Sequence, residues 1–98
     1  MCGAPKQGSG LAGIDLDTQT VIQGSVWHDG APVAGAYVRL LDGTGEFTAE
    51  VVTSATGDFR FFAAPGTWTL SVLHRDGKVR REVEATAPGL LQAALELQ

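Results

Sequence analysis

The most reactive side chain in this sequence is that of Cys2, the second residue and the only cysteine. A small residue after Met1 favours removal of the initiator Met, which leaves Cys2 with a free α-amine beside its thiol. That amine and the nearby Lys6 favour the thiolate over the thiol. A thiolate of this kind accepts a sulfane sulfur as a persulfide. Cys2 is therefore a candidate sulfur acceptor, and the alternative is a thiol without a chemical role.

Other catalytic and metal-binding patterns are missing from the sequence. A zinc site takes three or four ligands at defined spacing, whereas this chain offers one cysteine and two scattered histidines, His28 and His74. Asp29 and Asp76 each precede a glycine, which indicates tight turns more than catalysis. Neither a phosphate-binding loop nor a dinucleotide fingerprint occurs. We expect no metal and no cofactor.

Two groups of residues are candidates for binding. Trp27, Tyr37 and Phe62 fall on strand faces that point away from the expected core, as Leu41 and Leu73 also do. They form either a patch for self-association or a partner protein, or a surface covered by the N-terminal segment or the last strand. The second group is a basic run that holds four of the seven Lys and Arg residues: Arg75, Lys78, Arg80 and Arg81. It is either a solvated hairpin that protects a sheet edge or a docking site for an acidic partner or a small anion.

The elements that position these residues are strands. From Thr20 onward, apolar and polar residues alternate in short runs that are separated by Gly-containing turns, at spacings of roughly 8 to 12 residues. The pattern predicts an all-β fold, a single antiparallel β-sandwich of approximately seven strands. Residues 90–97 have the composition of a helix, but their period-two alternation favours a strand.

Strand parity predicts which residues fill the core. Those expected to be buried are Val38, Leu40, Phe59, Phe61, Trp68, Leu70 and Val72. Gly24 interrupts a strand, which indicates a bulge or a close backbone approach. Gly35 is expected to prevent crowding against the opposing sheet, just before the small Ala36.

Composition sets the remaining expectations. Residues 1–19 are Gly-rich and without periodicity, so we expect a flexible arm ahead of a sandwich domain at residues 20–98. The formal net charge of −4 argues against nucleic acid as a partner. The sequence has no signal-peptide core and no apolar run of membrane-spanning length, which predicts a cytoplasmic protein that does not bind membranes.

Three blocks resemble the transthyretin-like, carboxypeptidase-regulatory type of β-sandwich. They are Ile22-x-Gly24-x-Val26 followed by Gly30-x-Pro32-Val33-x-Gly35-Ala36-x-Val38-x-Leu40, then Thr53-x-x-x-Gly57-x-Phe59-x-Phe61, then Pro65-Gly66-x-Trp68-x-Leu70-x-Val72. The resemblance implies the fold but no activity, because such modules accompany many functions. The hydroxyisourate hydrolases of this fold use conserved His and Arg residues with a C-terminal Tyr-Arg-Gly-Ser. This chain ends Leu95-Glu96-Leu97-Gln98, so that activity is not expected.

The whole chain, with its Met-Cys-Gly-Ala-Pro-Lys-Gln-Gly start, is similar to an actinobacterial family of unknown function encoded beside thiosulfate sulfurtransferases. This resemblance implies a non-catalytic accessory or protein-interaction module linked to sulfur metabolism, with a rhodanese-type sulfurtransferase as its partner. One alternative is a sulfur carrier or thiol enzyme that depends on Cys2. Another is a ligand- or carbohydrate-binding sandwich. A homo-oligomer is an expected form of association.

Overall fold

The computed structural model describes residues 20–85 and 88–98 of the chain. They form eight strands: β1 (Thr20–His28), β2 (Ala31–Pro32), β3 (Tyr37–Leu41), β4 (Phe47–Val52), β5 (Asp58–Phe62), β6 (Gly66–His74), β7 (Gly77–Ala85) and β8 (Gly89–Glu96). The predicted all-β sandwich is confirmed. The strand beyond the approximate seven is the two-residue β2, which closes a hairpin with β1.

The strands form two four-stranded sheets. In sheet A, the central β1 pairs antiparallel with β5 and β2 along one edge and parallel with β8 along the other. Sheet B has the order β4-β3-β6-β7 and is antiparallel throughout. The antiparallel prediction therefore holds for every pair except β1–β8. That pair is parallel because the chain crosses from the end of β7 to the end of the sandwich where β1 begins, so that Gly89 lies beside Thr20.

The last strand is a core strand, as its alternation predicts. Leu95 is buried on its inner face, as is Leu97 just beyond its end, whereas Ala94 and Glu96 are exposed on its outer face. The amide of Leu97 donates to the carbonyl oxygen of Trp27 at 2.8 Å. The amide of Gln98 donates to the carbonyl oxygen of Lys78 at 3.0 Å, so the C-terminal residues connect the two sheets.

The core lies where strand parity places it. Six of the seven residues predicted to be buried are buried: Val38, Leu40, Phe59, Phe61, Leu70 and Val72. The rings of Phe59 and Phe61 tilt against each other with centroids 6.1 Å apart. Ile22 and Val26 complete the centre from β1.

Trp68 is the exception, since it is only half-buried and packs against the rim of the core. Its indole Nε1 donates a hydrogen bond to the carbonyl oxygen of Ala64 at 2.8 Å. A Trp N–H requires a polar partner, and here it finds one in the loop before β6. The prediction that Trp68 fills the middle of the sandwich is therefore wrong.

The two glycines singled out in the sequence serve different purposes. At Gly24 a Cβ atom would overlap the carbonyl oxygen of Ala93 on β8 and lie 3.0 Å from Cζ of Phe59, which confirms a close backbone approach. At Gly35 a Cβ atom would meet nothing within 4 Å. Crowding is therefore the wrong reason for Gly35. Its φ of +74° shows that the turn before β3 needs a left-handed residue.

Candidate functional site

The outer face of sheet B brings together side chains from all four of its strands. Cross-strand pairing aligns one row across β4, β3, β6 and β7 that consists of Val52, Tyr37, Leu73 and Lys78. The adjacent row consists of Glu50, Arg39, Ser71 and Arg80. These eight residues point away from the core, because they have the opposite parity to Val38, Leu40 and Val72. We refer to them as the docking face.

The first row is apolar over three adjacent strands. Val52 is 47% exposed, Tyr37 is 51% exposed and Leu73 is 62% exposed. Single exposed apolar side chains are ordinary, but side chains directly opposite each other on neighbouring strands form a continuous surface. This row is a contiguous apolar strip on the surface of the described chain.

An open depression of about 920 Å³ lies over the docking face. Its lining consists of Tyr37, Arg39, Glu50, Ser71, Val72, Leu73, Lys78, Val79, Arg80 and Gln98. It therefore joins apolar surface to hydroxyl groups and positive charge. That combination is typical of binding surfaces, in which a few polar groups orient a partner held by apolar contact.

The charged groups of the docking face differ in how they are held. Nε of Arg39 donates to the Glu50 carboxylate at 2.8 Å, and the Arg39 guanidinium lies 5.8 Å from the centroid of the Phe47 ring. Arg39 is thus already engaged by two neighbours. Lys78 and Arg80, by contrast, make no ion pair within residues 20–85 and 88–98.

The structure does not bring all the predicted binding residues together. Tyr37 lies on the docking face, but Trp27 and Phe62 belong to sheet A, where Phe62 is opposite Val21 and Trp27 is opposite Pro32. Trp27 is also half-buried, and its Nε1 donates to the hydroxyl oxygen of Ser25 at 2.7 Å. The three aromatic residues therefore do not form one surface.

The basic run is divided in the same way. Lys78 and Arg80 share the outer face of β7, whereas Arg81 is opposite Leu70 on the inner side of that strand. Arg81 is nevertheless exposed, because β7 is the edge of sheet B. Arg75 lies in the two-residue turn between β6 and β7. Only two of the four basic residues thus contribute to the docking face.

Other predicted features have simple outcomes. Cys2 and Lys6 lie outside the described residues, as does the whole of the predicted arm. The last strand does not cover the docking face, since β8 belongs to sheet A. His28 and His74 each lie near the Asp of an adjacent turn, at 3.6 Å from Asp29 and 3.5 Å from Asp76. In the described part of the chain, no three acidic, His or Cys side chains gather into a metal-binding group.

Sequence reasoning missed the contributions of Arg39, Ser71 and Val52 to this face. The sequence pattern shows that they point outward, but their proximity to Lys78 and Arg80 depends on which strands pair and in which register.

The described residues include no helix that is long and apolar enough to cross a membrane.

Comparison with known proteins places the chain in a family. The model of a family described as "protein of unknown function (DUF1416)" matches residues 2–97. The chain is 52% identical over 99 residues to "uncharacterized protein Rv0814c" of Mycobacterium tuberculosis, a match that covers 99% of both proteins.

Solved structures agree on the fold. The TIE protein of Bacillus anthracis superposes with a TM-score of 0.71 at 13% identity, over 83% of this chain and 16% of that one. The 5-hydroxyisourate hydrolase of Klebsiella pneumoniae superposes with a TM-score of 0.59 at 21% identity, over 80% of this chain and 91% of that one. At such identities the likeness concerns the transthyretin-like sandwich alone.

Proposed function

This chain belongs to the DUF1416 family, and we propose that it is a non-catalytic interaction module that docks a partner protein through the outer face of sheet B. The observation that carries the proposal is the exposed row Val52, Tyr37 and Leu73, of which Tyr37 and Leu73 line the open depression. Apolar side chains aligned on neighbouring strands lose water together when a partner covers them. Interfaces are anchored by such central apolar and aromatic groups.

The shape of the face favours a protein over a small molecule as its partner. The apolar row spans three strands, or about 10 Å between its outer strands at the usual strand spacing. Half or more of the Tyr37 and Leu73 surface faces outward, so no wall of the chain encloses a ligand there. An open face of this kind suits the roughly 800 Å² that each partner buries in a standard protein interface.

A rhodanese-type thiosulfate sulfurtransferase is the partner that we propose. The support is the whole-chain resemblance to a family encoded beside such enzymes, together with the single thiol at position 2. In this proposal the module holds the enzyme through the docking face. Interaction with the enzyme is the function, and turnover takes place on the enzyme.

Binding of purified sulfurtransferase to the full chain tests the proposal. The double variant Tyr37→Ser, Leu73→Ser removes two anchors from the docking face, and we expect affinity to fall by about tenfold or more. Phe62→Ser is the matched control, because Phe62 is as exposed as Tyr37 but belongs to sheet A. Absence of binding by the wild type, or an equal loss in the Phe62→Ser variant, would contradict the proposal.

The second candidate function is a sulfur carrier, and the observation behind it is the lone thiol with Lys6 nearby in the sequence. In this reaction the Cys2 thiolate attacks the outer sulfur of the enzyme's persulfide. A new S–S bond forms on Cys2, the S–S bond on the enzyme breaks, and the enzyme's thiolate leaves. We expect an N-terminal peptide heavier by about 32 Da, the mass of one sulfur atom, that is lost in Cys2→Ser. A complex without this adduct would leave the non-catalytic module as the function.

A further inference from the structure

The outer face of β7 has its charges sorted by position. Lys78 and Arg80 occupy one half of the strand, and Glu82 and Glu84 occupy the other half. The basic half borders the depression beside Leu73 and Ser71, and the acidic half does not line it. On the outer face of β7 the positive charge is therefore confined to the half that lines the depression, in a chain whose formal net charge is −4.

These two cations are available for a partner. Arg39 is neutralised by Glu50 and stacked near Phe47, whereas Lys78 and Arg80 have no carboxylate partner among the described residues. Two positions along one strand place their Cα atoms about 7 Å apart on the same face, so one carboxylate can contact both side chains. Ser71 lies directly opposite Arg80, and its hydroxyl adds a hydrogen-bond donor at that level.

We infer that the docking face recognises a carboxylate that stands next to an apolar side chain, so that its partner presents an acidic and apolar segment. The apolar group lies on Tyr37 and Leu73, and the carboxylate accepts hydrogen bonds from Lys78 and Arg80. This inference rests on the proposed function and specifies the chemistry of the partner's contact segment. It also orients the complex, because Glu82 and Glu84 repel the carboxylate in the reversed direction.

The proposed segment belongs to a partner molecule, and the described chain begins at the end of β7 that is far from Lys78. Thr20 lies at the Ala85 end of β7, where both border one small cleft. Lys78 is seven residues from Ala85, or about 23 Å along the strand.

The test uses two small probes on the full chain, 1-naphthaleneacetate and its neutral isostere 1-naphthaleneacetamide, followed by two-dimensional NMR titration. Both carry the same apolar ring, so the ratio of their dissociation constants measures recognition of the carboxylate. We expect the acetate to bind about fivefold more tightly at low salt, with shifts centred on Tyr37, Leu73, Lys78 and Arg80. That preference is expected to disappear in 1 M NaCl, which screens exposed charges beyond about 3 Å.

Two charge-reversed variants locate the effect. Lys78→Glu, Arg80→Glu is expected to abolish the preference for acetate. The matched control is Arg75→Glu, Arg81→Glu, which makes the same change in net charge on the same hairpin but off the docking face, and it is expected to retain the preference.

Equal affinity for the two probes, no binding of either, or loss of the preference in the control variant would overturn the inference. None of these results decides whether the sulfurtransferase binds, so the two proposals fail separately. If the probes behave as expected and the sulfurtransferase does not bind, the inference stands and the partner named above is wrong.

Discussion

At the scale of single residues, Thr53 holds the connection between the two sheets. Its hydroxyl accepts from the amide of Ala36 at 2.9 Å and donates to the carbonyl oxygen of Val33 at 2.7 Å. Its backbone amide and carbonyl bond to Ala36 and Gly35. Thr53 is buried, so both side-chain bonds are shielded from water. It thereby fixes the loop that leads into β3, the strand that carries Tyr37 and Arg39.

We expect Thr53→Val to destabilise the fold by roughly 2–6 kcal/mol. The substitution keeps the shape but leaves a buried amide and a buried carbonyl without a partner, at about 1–3 kcal/mol for each group. Thr53→Ser, which keeps the hydroxyl and loses only a methyl group, is expected to cost about 1 kcal/mol. Urea unfolding measures both, and a Val variant as stable as the Ser variant would show that the two hydrogen bonds contribute little.

Gly24 gives a second prediction at this scale. We expect Gly24→Ala to cost about 3 kcal/mol or more, because the new methyl group would displace the backbone of β8 at Ala93. Gly43→Ala is the control, since its Cβ would lie 3.6 Å from the nearest atom, the carbonyl oxygen of Thr67. We expect that variant to stay within about 0.5 kcal/mol of the wild type in the same unfolding experiment. Equal stability of the two variants would contradict the close approach.

The sequence reveals more at some residues than at others. Alternation is sufficient to place Leu70 and Val72 inside, because parity within a strand depends only on that strand. It misplaces Trp68, since the position of a residue between the centre and the rim depends on the opposing sheet. The two glycines differ in the same way. Gly24 is recognisable in the sequence because it interrupts the alternation of a strand, whereas the role of Gly35 is explained only by its backbone conformation in the structure.

At the scale of elements, the loop between β3 and β4 is organised by one carboxylate. Oδ1 of Asp42 accepts from the amide of Thr44 at 2.9 Å, from its hydroxyl at 2.6 Å and from the amide of Glu46 at 3.0 Å. These bonds hold the pKa of Asp42 below its ordinary value, and the bond from the Thr44 hydroxyl has the largest effect. Because the pKa of Asp42 is lower in the folded state, its carboxylate takes up a proton at a higher pH in the unfolded state than in the folded state as the pH falls. The contribution of Asp42 to stability is therefore present above the ordinary aspartate pKa and is lost as the pH falls through the folded value.

We predict that the amide resonances of Thr44 and Glu46 titrate together with a midpoint below 3.8, the ordinary pKa of an aspartate. In Asp42→Asn the side chain keeps an acceptor oxygen but cannot titrate, so the shared transition is expected to vanish. NMR between pH 2 and 6 measures it. A midpoint at or above the ordinary value would mean that the bonds from Thr44 and Glu46 do not favour the charged form.

The docking face shows why elements are harder to predict than residues. Outward parity selects Tyr37, Lys78 and Arg80, but it selects Trp27 and Phe62 equally well. Only the strand order separates them, because β3, β6 and β7 are neighbours in sheet B while β1 and β5 lie in sheet A. A basic run read along the chain likewise includes Arg81, which the alternation of β7 turns to the other side.

At the scale of the whole molecule, the last strand and the C-terminal residues connect the two sheets of the sandwich. β8 is the last strand, yet it pairs with the first, and the amides of Leu97 and Gln98 bond to Trp27 in one sheet and Lys78 in the other. The sequence predicts that residues 90–97 form a strand but carries no signal for its parallel partner. That pairing is non-local, and it is set by the path of the chain between the sheets.

We therefore predict that removal of residues 89–98 prevents folding, whereas removal of residues 1–19 does not. Loss of β8 removes the buried Leu95 and Leu97, worth about 1.5–3 kcal/mol each, and leaves one edge of the central β1 unpaired. That loss is comparable to the 5–15 kcal/mol that stabilises a typical domain. Circular dichroism and two-dimensional NMR of the chains 1–88 and 20–98 measure the outcome. A dispersed spectrum from residues 1–88 would show that β8 is an accessory strand, and an unfolded chain from residues 20–98 would show that the first 19 residues belong to the domain.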